Sequence, residues 1–252
     1  MDVKSAFLNG PLEEEVHTLL ICLYVDDLLI TKSSTREIEC FKLKMMEELE
    51  MTDLGSLGYF LGLEFVQTKD GLHLNQRKYI LETLERFNLK DCNSTSVSVM
   101  ANTKLSLQHE ETKVDATLFK QIVGTFRYIC SSRPDISFGV GLVSRFMHDP
   151  RQSHITTAKH VVRYLKGTID YGLYFPRKIN ETIGVLEAWC NADWSGDQVD
   201  RKSTFEYLFK LLGASISWCS KKQDVVALSS CEAKYISVAE AACQSAWIET
   251  IL

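Results

Sequence analysis

The stretch that most constrains this chain is LLICLYVDDLLIT, residues 19–31, in which two adjacent carboxylates interrupt a strongly apolar run. The apolar residues on both sides predict two strands, and Asp26-Asp27 between them predicts the end of a hairpin. Neighbouring carboxylates repel each other unless a cation compensates their charge. The pair is therefore either an exposed turn, where aspartate is favoured, or part of a cation site. The residues alone leave both readings open.

Composition bounds the class of protein. The chain has 252 residues, 45% of them hydrophobic and 24% charged, which is typical of one large or two ordinary globular domains. The net charge of -5 does not indicate nucleic-acid binding, but it does not exclude it, because binding depends on where the basic residues lie. Eight cysteines without a CxxC pair favour reduced thiols. With no signal peptide and no spanning apolar run, we expect an intracellular protein, cytoplasmic or nuclear, that is not secreted and has no membrane partner.

The first ninety residues predict alternating helices and hairpins. A helix is expected to begin near Ser34 or Thr35, and a second hairpin is expected to turn at residues 69–71. Another helix is predicted over QRKYILETLERFNL, residues 76–89. The first helix has apolar residues at helical spacing, namely Ile38, Phe41, Met45 and Leu49.

The remainder changes character twice. Residues 93–115 are polar and predict a linker, and the helical section after them is broken at Arg133-Pro134. A further helix is predicted to end near Gly167. The last seventy residues predict three strands and a helix, a β-meander with a packed helix. The expected apolar stripe of that helix is Tyr235, Val238, Ala242 and Trp247. The fold class predicted for the whole chain is α/β (α+β).

The clearest basic stretch runs from Arg151 to Lys178, with six Lys/Arg against one acid, Asp170. Tyrosines are interleaved with the basic residues. The stretch is either the solvated face of a helix or a surface that contacts phosphates, and both remain open. The candidate phosphate contacts are Lys159, Arg163 and Lys166.

Several blocks carry a family resemblance. DVKSAFLNGPLEEEV and LYVDDLLITKS resemble the two carboxylate-bearing blocks of the reverse transcriptase in copia-type retrotransposon Pol polyproteins. DLGSLGYFLGLEF, VGTFRYICSSRPDISFGVGLVSRFM and HVVRYLKGTIDYGLYF resemble the segments that follow, and ADWSGDQVDRKSTFEYLF resembles the ribonuclease H region. The resemblance implies a partial polymerase palm/thumb-like region at 1–92, a linker and helical connection at 93–179, and a truncated RNase H-like domain at 180–252.

The resemblance also implies a site. Asp2, Asp26 and Asp27 occupy the positions of carboxylates that hold Mg²⁺ for nucleotidyl transfer on an RNA or DNA template–primer. The hairpin Leu57–Leu74 corresponds to the element that holds the primer end. The oligomeric state stays open.

Departures from the family pattern bear on activity. Several dozen residues separate the two carboxylate blocks in the family, whereas Asp26 follows Asp2 by only 24 positions, so the nucleotide-binding block is missing. In the RNase H region, Asn191 and Lys234 stand where the family has carboxylates, and we predict that this nuclease site is inactive. The remaining acids, Asp193 and Glu232, are expected to be turn and helix-start residues.

Three hypotheses follow from the match and the departures. The first is a shortened but active magnesium-dependent reverse transcriptase. The second is a catalytically defective remnant, internally deleted and truncated, with possible nucleic-acid binding. The third is a recruited, non-catalytic interaction scaffold. The apolar patterning of the chain is intact, whereas its catalytic positions are altered. This combination favours the second hypothesis, the defective remnant, over the first, the active enzyme.

Overall fold

The computed structural model describes residues 19–32, 34–101, 103–107, 110–177 and 186–252. The chain forms two compact units, one that ends at Ser56 and one that spans Leu57–Leu252. The described residues form helices and antiparallel sheets, which confirms the predicted α/β class. No helix among them is long and apolar enough to cross a membrane.

The first unit contains a hairpin and a helix. Strand β1 (Leu20–Tyr24) pairs with β2 (Asp27–Thr31), so the predicted hairpin is confirmed. Helix α1 (Thr35–Glu48) starts where Ser34 predicts, although the Ser34 side chain makes no capping hydrogen bond. No residue of α1 is fully buried, and its apolar residues are at most half-buried.

A four-stranded antiparallel sheet begins the second unit. Its strands, in spatial order, are β3 (Tyr59–Phe60), β4 (Leu63–Gln67), β5 (Gly71–Asn75) and β6 (Gly172–Pro176). The predicted turn at residues 69–71 joins β4 to β5 and is confirmed. The sequence did not predict β6, which pairs with β5 at Leu74↔Leu173 across a long stretch of chain. Gly172 permits this close approach, because a Cβ there would lie 2.2 Å from the Leu74 carbonyl oxygen.

A helical cluster lies between β5 and β6 in the chain and holds the main core. Its helices are α2 (Arg77–Arg86), α3 (Ala116–Ile129), a short 3₁₀ helix (Pro134–Ile136), α4 (Ser137–Ser144) and α5 (Gln152–Gly167). The predicted break at Pro134 and the predicted end at Gly167 are both confirmed. Amphipathic helices bury their apolar stripes on one another here, with Phe119, Phe126 and Leu165 almost completely removed from solvent.

A buried arginine lies at the break before the 3₁₀ helix. The Arg133 side chain is 1% exposed and donates from Nε and Nη2 to the two carboxylate oxygens of Asp135, at 2.9 and 2.7 Å. Its Nη1 and Nη2 also donate to the carbonyl and hydroxyl oxygens of Thr168, at 2.9 and 2.6 Å. The Tyr164 hydroxyl donates to Asp135 at 2.8 Å. Burial pushes the pKa of Asp135 upward, but the hydrogen bonds and the charge of Arg133, together with the Tyr164 hydrogen bond, outweigh burial and hold this pKa below its usual value.

The last part of the chain forms a meander that one helix covers. Strands β7 (Leu186–Ala192), β8 (Thr204–Leu211) and β9 (Ala214–Lys222) pair antiparallel in that order, and α6 (Ser230–Ile251) follows. The strand order and the helix were predicted correctly.

The predicted packing face of α6 is wrong. Tyr235, Val238, Ala242 and Trp247 are exposed. The side chains that are buried instead are Ala233, Ser237, Ala241 and Ile248. Small residues let the helix approach the sheet closely, and Ser237 Oγ donates to the Asn191 carbonyl oxygen of β7 at 2.8 Å. A hydrophobicity pattern ranks tryptophan and tyrosine above alanine and serine, so it selected the opposite face.

Candidate metal hairpin and nucleic-acid interface

The paired aspartates lie at the end of the β1–β2 hairpin. Tyr24 pairs with Asp27, so Val25 and Asp26 form a two-residue turn, and the side chains of Asp26 and Asp27 are both exposed. Val25 has a positive φ of 53°, a conformation that a β-branched residue rarely adopts. Such a residue costs of order 1–3 kcal/mol, and residues of this kind cluster at functional sites. The turn therefore presents the two carboxylates on a strained backbone.

The donor chemistry of this hairpin fits magnesium. Mg²⁺ takes hard oxygen ligands and often only one or two protein carboxylates, and Asp26 and Asp27 supply two. The third predicted ligand, Asp2, lies outside the described residues. Within the ranges that the structure describes, no group of three His, Cys, Asp or Glu side chains is arranged to hold a metal. When bound at the two aspartates, Mg²⁺ would supply Lewis-acid activation of an oxygen nucleophile.

The two strands that carry the aspartates have few packed neighbours among the described residues. None of the ten residues of β1 and β2 is fully buried, and Leu23 on β1 is 71% exposed. The strands of the hairpin pair with each other, and no third described strand joins them. Positioning of a catalytic group to within about an ångström requires packed neighbours, because rates are sensitive to errors of that size. The hairpin therefore presents two carboxylates that could bind a metal, but no described neighbour packs against the strands to hold these carboxylates in place.

The predicted basic residues of α5 have different surroundings. Lys159 is exposed at the surface. Arg163 Nε donates to the Asn93 carbonyl oxygen at 2.6 Å, and Lys166 Nζ donates to the carbonyl oxygens of Lys90 and Cys92, both at 2.6 Å. Arg163 and Lys166 therefore hold the chain segment after α2 against α5. Sequence reasoning missed this role, because the partners are main-chain oxygens some seventy residues away.

The carboxylates of Asp193 and Glu232, in the meander region, accept hydrogen bonds from nearby backbone N–H groups. Asp193 Oδ1 accepts from the Thr204 backbone N–H at 2.5 Å. Glu232 Oε2 accepts from the Leu228 N–H at 2.7 Å, and its own N–H donates to Ser229 Oγ at 3.1 Å, a helix-capping arrangement. Asn191 lies on β7, and Lys234 is exposed near the start of α6. These contacts agree with the turn and helix-start roles expected for Asp193 and Glu232.

Comparison with known proteins extends the resemblance. Residues 17–101 match the family model of the reverse transcriptase (RNA-dependent DNA polymerase), and this segment includes Asp26 and Asp27. The chain is 38% identical over 230 residues to the retrovirus-related Pol polyprotein from transposon RE1 of Arabidopsis thaliana, covering 91% of this chain but 16% of that polyprotein. No solved structure matches.

Two shorter relatives match over most of their own length. An uncharacterized mitochondrial protein of Arabidopsis thaliana is 35% identical over 231 residues, covering 91% of this chain and 94% of that protein. A putative transposon Ty5-1 protein of Saccharomyces cerevisiae is 31% identical over 225 residues, covering 88% of this chain and 72% of the relative. With the carboxylate hairpin in place and these matches along nearly the whole chain, the chain belongs to the family of copia-type retrotransposon Pol polyproteins and corresponds to their reverse transcriptase region.

Proposed function

We propose that this chain is a catalytically defective remnant of a copia-type reverse transcriptase and RNase H region that retains weak nucleic-acid binding. The exposed hairpin carries this proposal. Asp26 and Asp27 are present, but the strands beneath them have no fully buried residue to fix their positions. An activity that depends on carboxylates converging on metal ions would lose most of its rate there.

The meander region supports the same conclusion for the nuclease. A two-metal nuclease needs carboxylates that are free to bind metal, and at Lys234 a cation replaces the carboxylate that the family has at this position. Asp193 and Glu232 use carboxylate oxygens to cap backbone N–H groups. The proposed division into regions 1–92, 93–179 and 180–252, an intracellular location and an RNA or DNA template–primer partner are parts of the same proposal.

Primer extension on an RNA template with Mg²⁺ tests the polymerase part. We expect no extension above the level of an Asp26→Asn variant, which keeps the shape of the side chain but removes its charge. Far-UV circular dichroism should confirm that both proteins are folded, because all four tryptophans lie in the second unit and would not report on the hairpin. Magnesium-dependent extension that Asp26→Asn abolishes would contradict the proposal and establish the alternative, a shortened but active enzyme.

An RNA–DNA hybrid tests the nuclease part separately. We expect no cleavage by the unaltered chain in Mg²⁺. Cleavage that is lost in Asp193→Asn would contradict the assignment of Asp193 as a turn residue. A chain that neither extends primers nor binds nucleic acid at low salt would favour the third hypothesis, an interaction scaffold.

A further inference from the structure

An apolar pocket lies inside the second unit, where the end of α2 meets the first halves of α3 and α5. Its volume is about 320 Å³, which is within the range of small-molecule sites. Six side chains form most of its wall and define the apolar pocket: Phe87, Leu89, Val114, Leu118, Ile122 and Ile155. The other lining residues are polar or basic, and none of them is a carboxylate: Arg86, Asn88, Gln152 and Lys159.

The end of α2 forms one wall of the apolar pocket. Asn88 has a φ of 55°, a left-handed conformation that asparagine adopts more readily than most residues. The Asn88 N–H donates to the Glu85 carbonyl oxygen at 3.1 Å, and the Leu89 N–H donates to the Leu84 carbonyl oxygen at 2.9 Å. This pair of bonds is a common way to end a helix and reverse the chain. The reversal brings Phe87 and Leu89 to the same pocket.

Helices α3 and α5 each contribute one stripe of side chains. On α3, Leu118 and Ile122 are four residues apart, and on α5 the lining residues Gln152, Ile155 and Lys159 are spaced by three and four. These spacings place side chains on one face of a helix. Ile122 and Ile155 are only 3% and 4% exposed, whereas Leu118 is 41% exposed. The apolar pocket therefore has a buried base and an apolar edge that reaches solvent.

Two cations line the apolar pocket without a partner of their own. Arg86 and Lys159 are exposed, and neither makes an ion pair with any residue that the structure describes. Glu85, which is next to Arg86 in the sequence, contacts Lys90 instead, at 2.8 Å. Because no carboxylate lines the pocket, an anion at its opening would meet two positive charges that no lining residue compensates.

We propose that the apolar pocket binds a small amphipathic carboxylate. The hydrocarbon or aromatic group of this ligand covers the six apolar side chains, and its carboxylate pairs with Arg86 and Lys159. Arginine presents a planar fork of donors that matches a carboxylate, and lysine adds a point charge. A neutral apolar ligand would leave both cations unused, and a phosphodiester strand would leave the apolar wall uncovered. The inference does not rest on the proposed function, because the pocket uses neither the Asp26-Asp27 hairpin nor the meander.

Calorimetric titration of the full chain with three probes tests the chemistry of the ligand. Octanoate, 1-octanol and octylammonium have the same hydrocarbon chain and carry a negative charge, no charge and a positive charge. We expect octanoate to bind at least tenfold more tightly than 1-octanol, and octylammonium to bind most weakly of the three. Equal affinities for octanoate and 1-octanol, or no binding of octanoate, would overturn the proposal.

A pair of double variants tests the two cations. Arg86→Gln/Lys159→Gln should weaken octanoate binding tenfold or more and change 1-octanol binding less than twofold. The matched control, Lys120→Gln/Arg127→Gln, also removes one lysine and one arginine, from exposed positions of α3 that do not line the pocket. It should change octanoate binding less than twofold, and equal losses in the two double variants would overturn the proposal.

Two leucines of similar exposure test the apolar wall. Leu118 lines the pocket and is 41% exposed, and Leu81 on α2 does not line it and is 39% exposed. Leu118→Asn should weaken the binding of octanoate and of 1-octanol severalfold, whereas Leu81→Asn should change neither. Since both leucines are partly exposed, the two variants should have similar unfolding midpoints. Equal effects of the two variants on octanoate binding would show that the ligand lies elsewhere.

A short single-stranded RNA separates this proposal from the proposed function. We expect Arg86→Gln/Lys159→Gln to bind the RNA as the unaltered chain does, at low salt. If octanoate does not bind and the RNA binds only the unaltered chain, Arg86 and Lys159 contact phosphates. That result would overturn the pocket and leave the nucleic-acid part of the proposed function standing. Octanoate binding without RNA binding would have the opposite meaning.

Discussion

Helices α1 and α5 have similar lengths and opposite surroundings. Both carry apolar residues at helical spacing, yet α1 has no fully buried residue, while α5 buries six of its sixteen. The difference lies in their neighbours, because α5 packs on α2, α3 and α4, whereas the described residues of the first unit offer α1 only a two-stranded hairpin. Hydrophobic periodicity therefore predicts which face a helix can bury, but stability comes only when other elements cover that face.

The largest contrast between the units should come from their ion pairs. Arg133→Met removes the guanidinium donors from the Asp135 carboxylate and from the Thr168 oxygens, although the Tyr164 hydroxyl still donates to Asp135. Breaking a buried pair in this way costs about 3–5 kcal/mol of unfolding free energy. The equivalent change in the first unit, Lys42→Met, removes an exposed contact of 3.0 Å to Asp53 and should leave the unfolding midpoint unchanged. Urea unfolding followed by far-UV circular dichroism measures both. A loss below about 1 kcal/mol for Arg133→Met would class it with exposed pairs.

A smaller contrast is expected for one leucine in each helix. Leu165 on α5 is 1% exposed, so Leu165→Ala should lower the unfolding free energy by about 2–5 kcal/mol through lost burial and a cavity. Leu43 on α1 is 60% exposed, and Leu43→Ala should stay within about 0.5 kcal/mol. All four tryptophans lie in the second unit, so their fluorescence reports Leu165→Ala specifically. Similar losses in the two variants would mean that α1 is covered in solution.

The smallest expected effect is a pH dependence confined to the second unit. His154 is buried against Phe146, with ring centroids 3.9 Å apart; its Nδ1 accepts from the Arg151 N–H at 2.9 Å, and its Nε2 contacts the Ser106 carbonyl oxygen at 3.1 Å. Burial holds the pKa of His154 below its usual value of 6.5. The unfolded chain therefore binds this proton first, and stability falls as the pH drops below about 6.5.

Thermal unfolding at pH 7.5 and 5.5 tests this dependence. His154→Gln should flatten it, although at pH 7.5 the variant will itself be less stable. His148→Gln changes an exposed histidine six residues away and should retain the full dependence. If His148→Gln flattened the profile and His154→Gln did not, the assignment to His154 would be wrong.

Local sequence patterns predicted most of the helices, strands and turns. The sequence failed to predict the elements that depend on packing between distant parts of the chain. The hairpin at Asp26, the turn at residues 69–71 and the break at Pro134 all follow from residues within a few positions of each other. Strand β6 was missed because its partner, β5, lies far upstream and its five residues sit within a basic, aromatic stretch.

The candidate sites divide in the same way. The adjacent aspartates were visible as a short motif, and the structure places both at the hairpin end. Arg163 and Lys166 looked like surface cations because no local pattern reveals a hydrogen bond to a carbonyl oxygen seventy residues away.

The pairing of β5 with β6 has a consequence for how the chain folds as it is synthesised. Leu74 and Leu173 are 99 residues apart, so at ~5–20 residues per second the partner strand emerges on the order of 5–20 s after β5. Until then β5 presents an open edge, which is a hazard for wrong pairing. The intervening helices contact one another locally and fold fast, so they shorten the loop that must close before β6 completes the sheet.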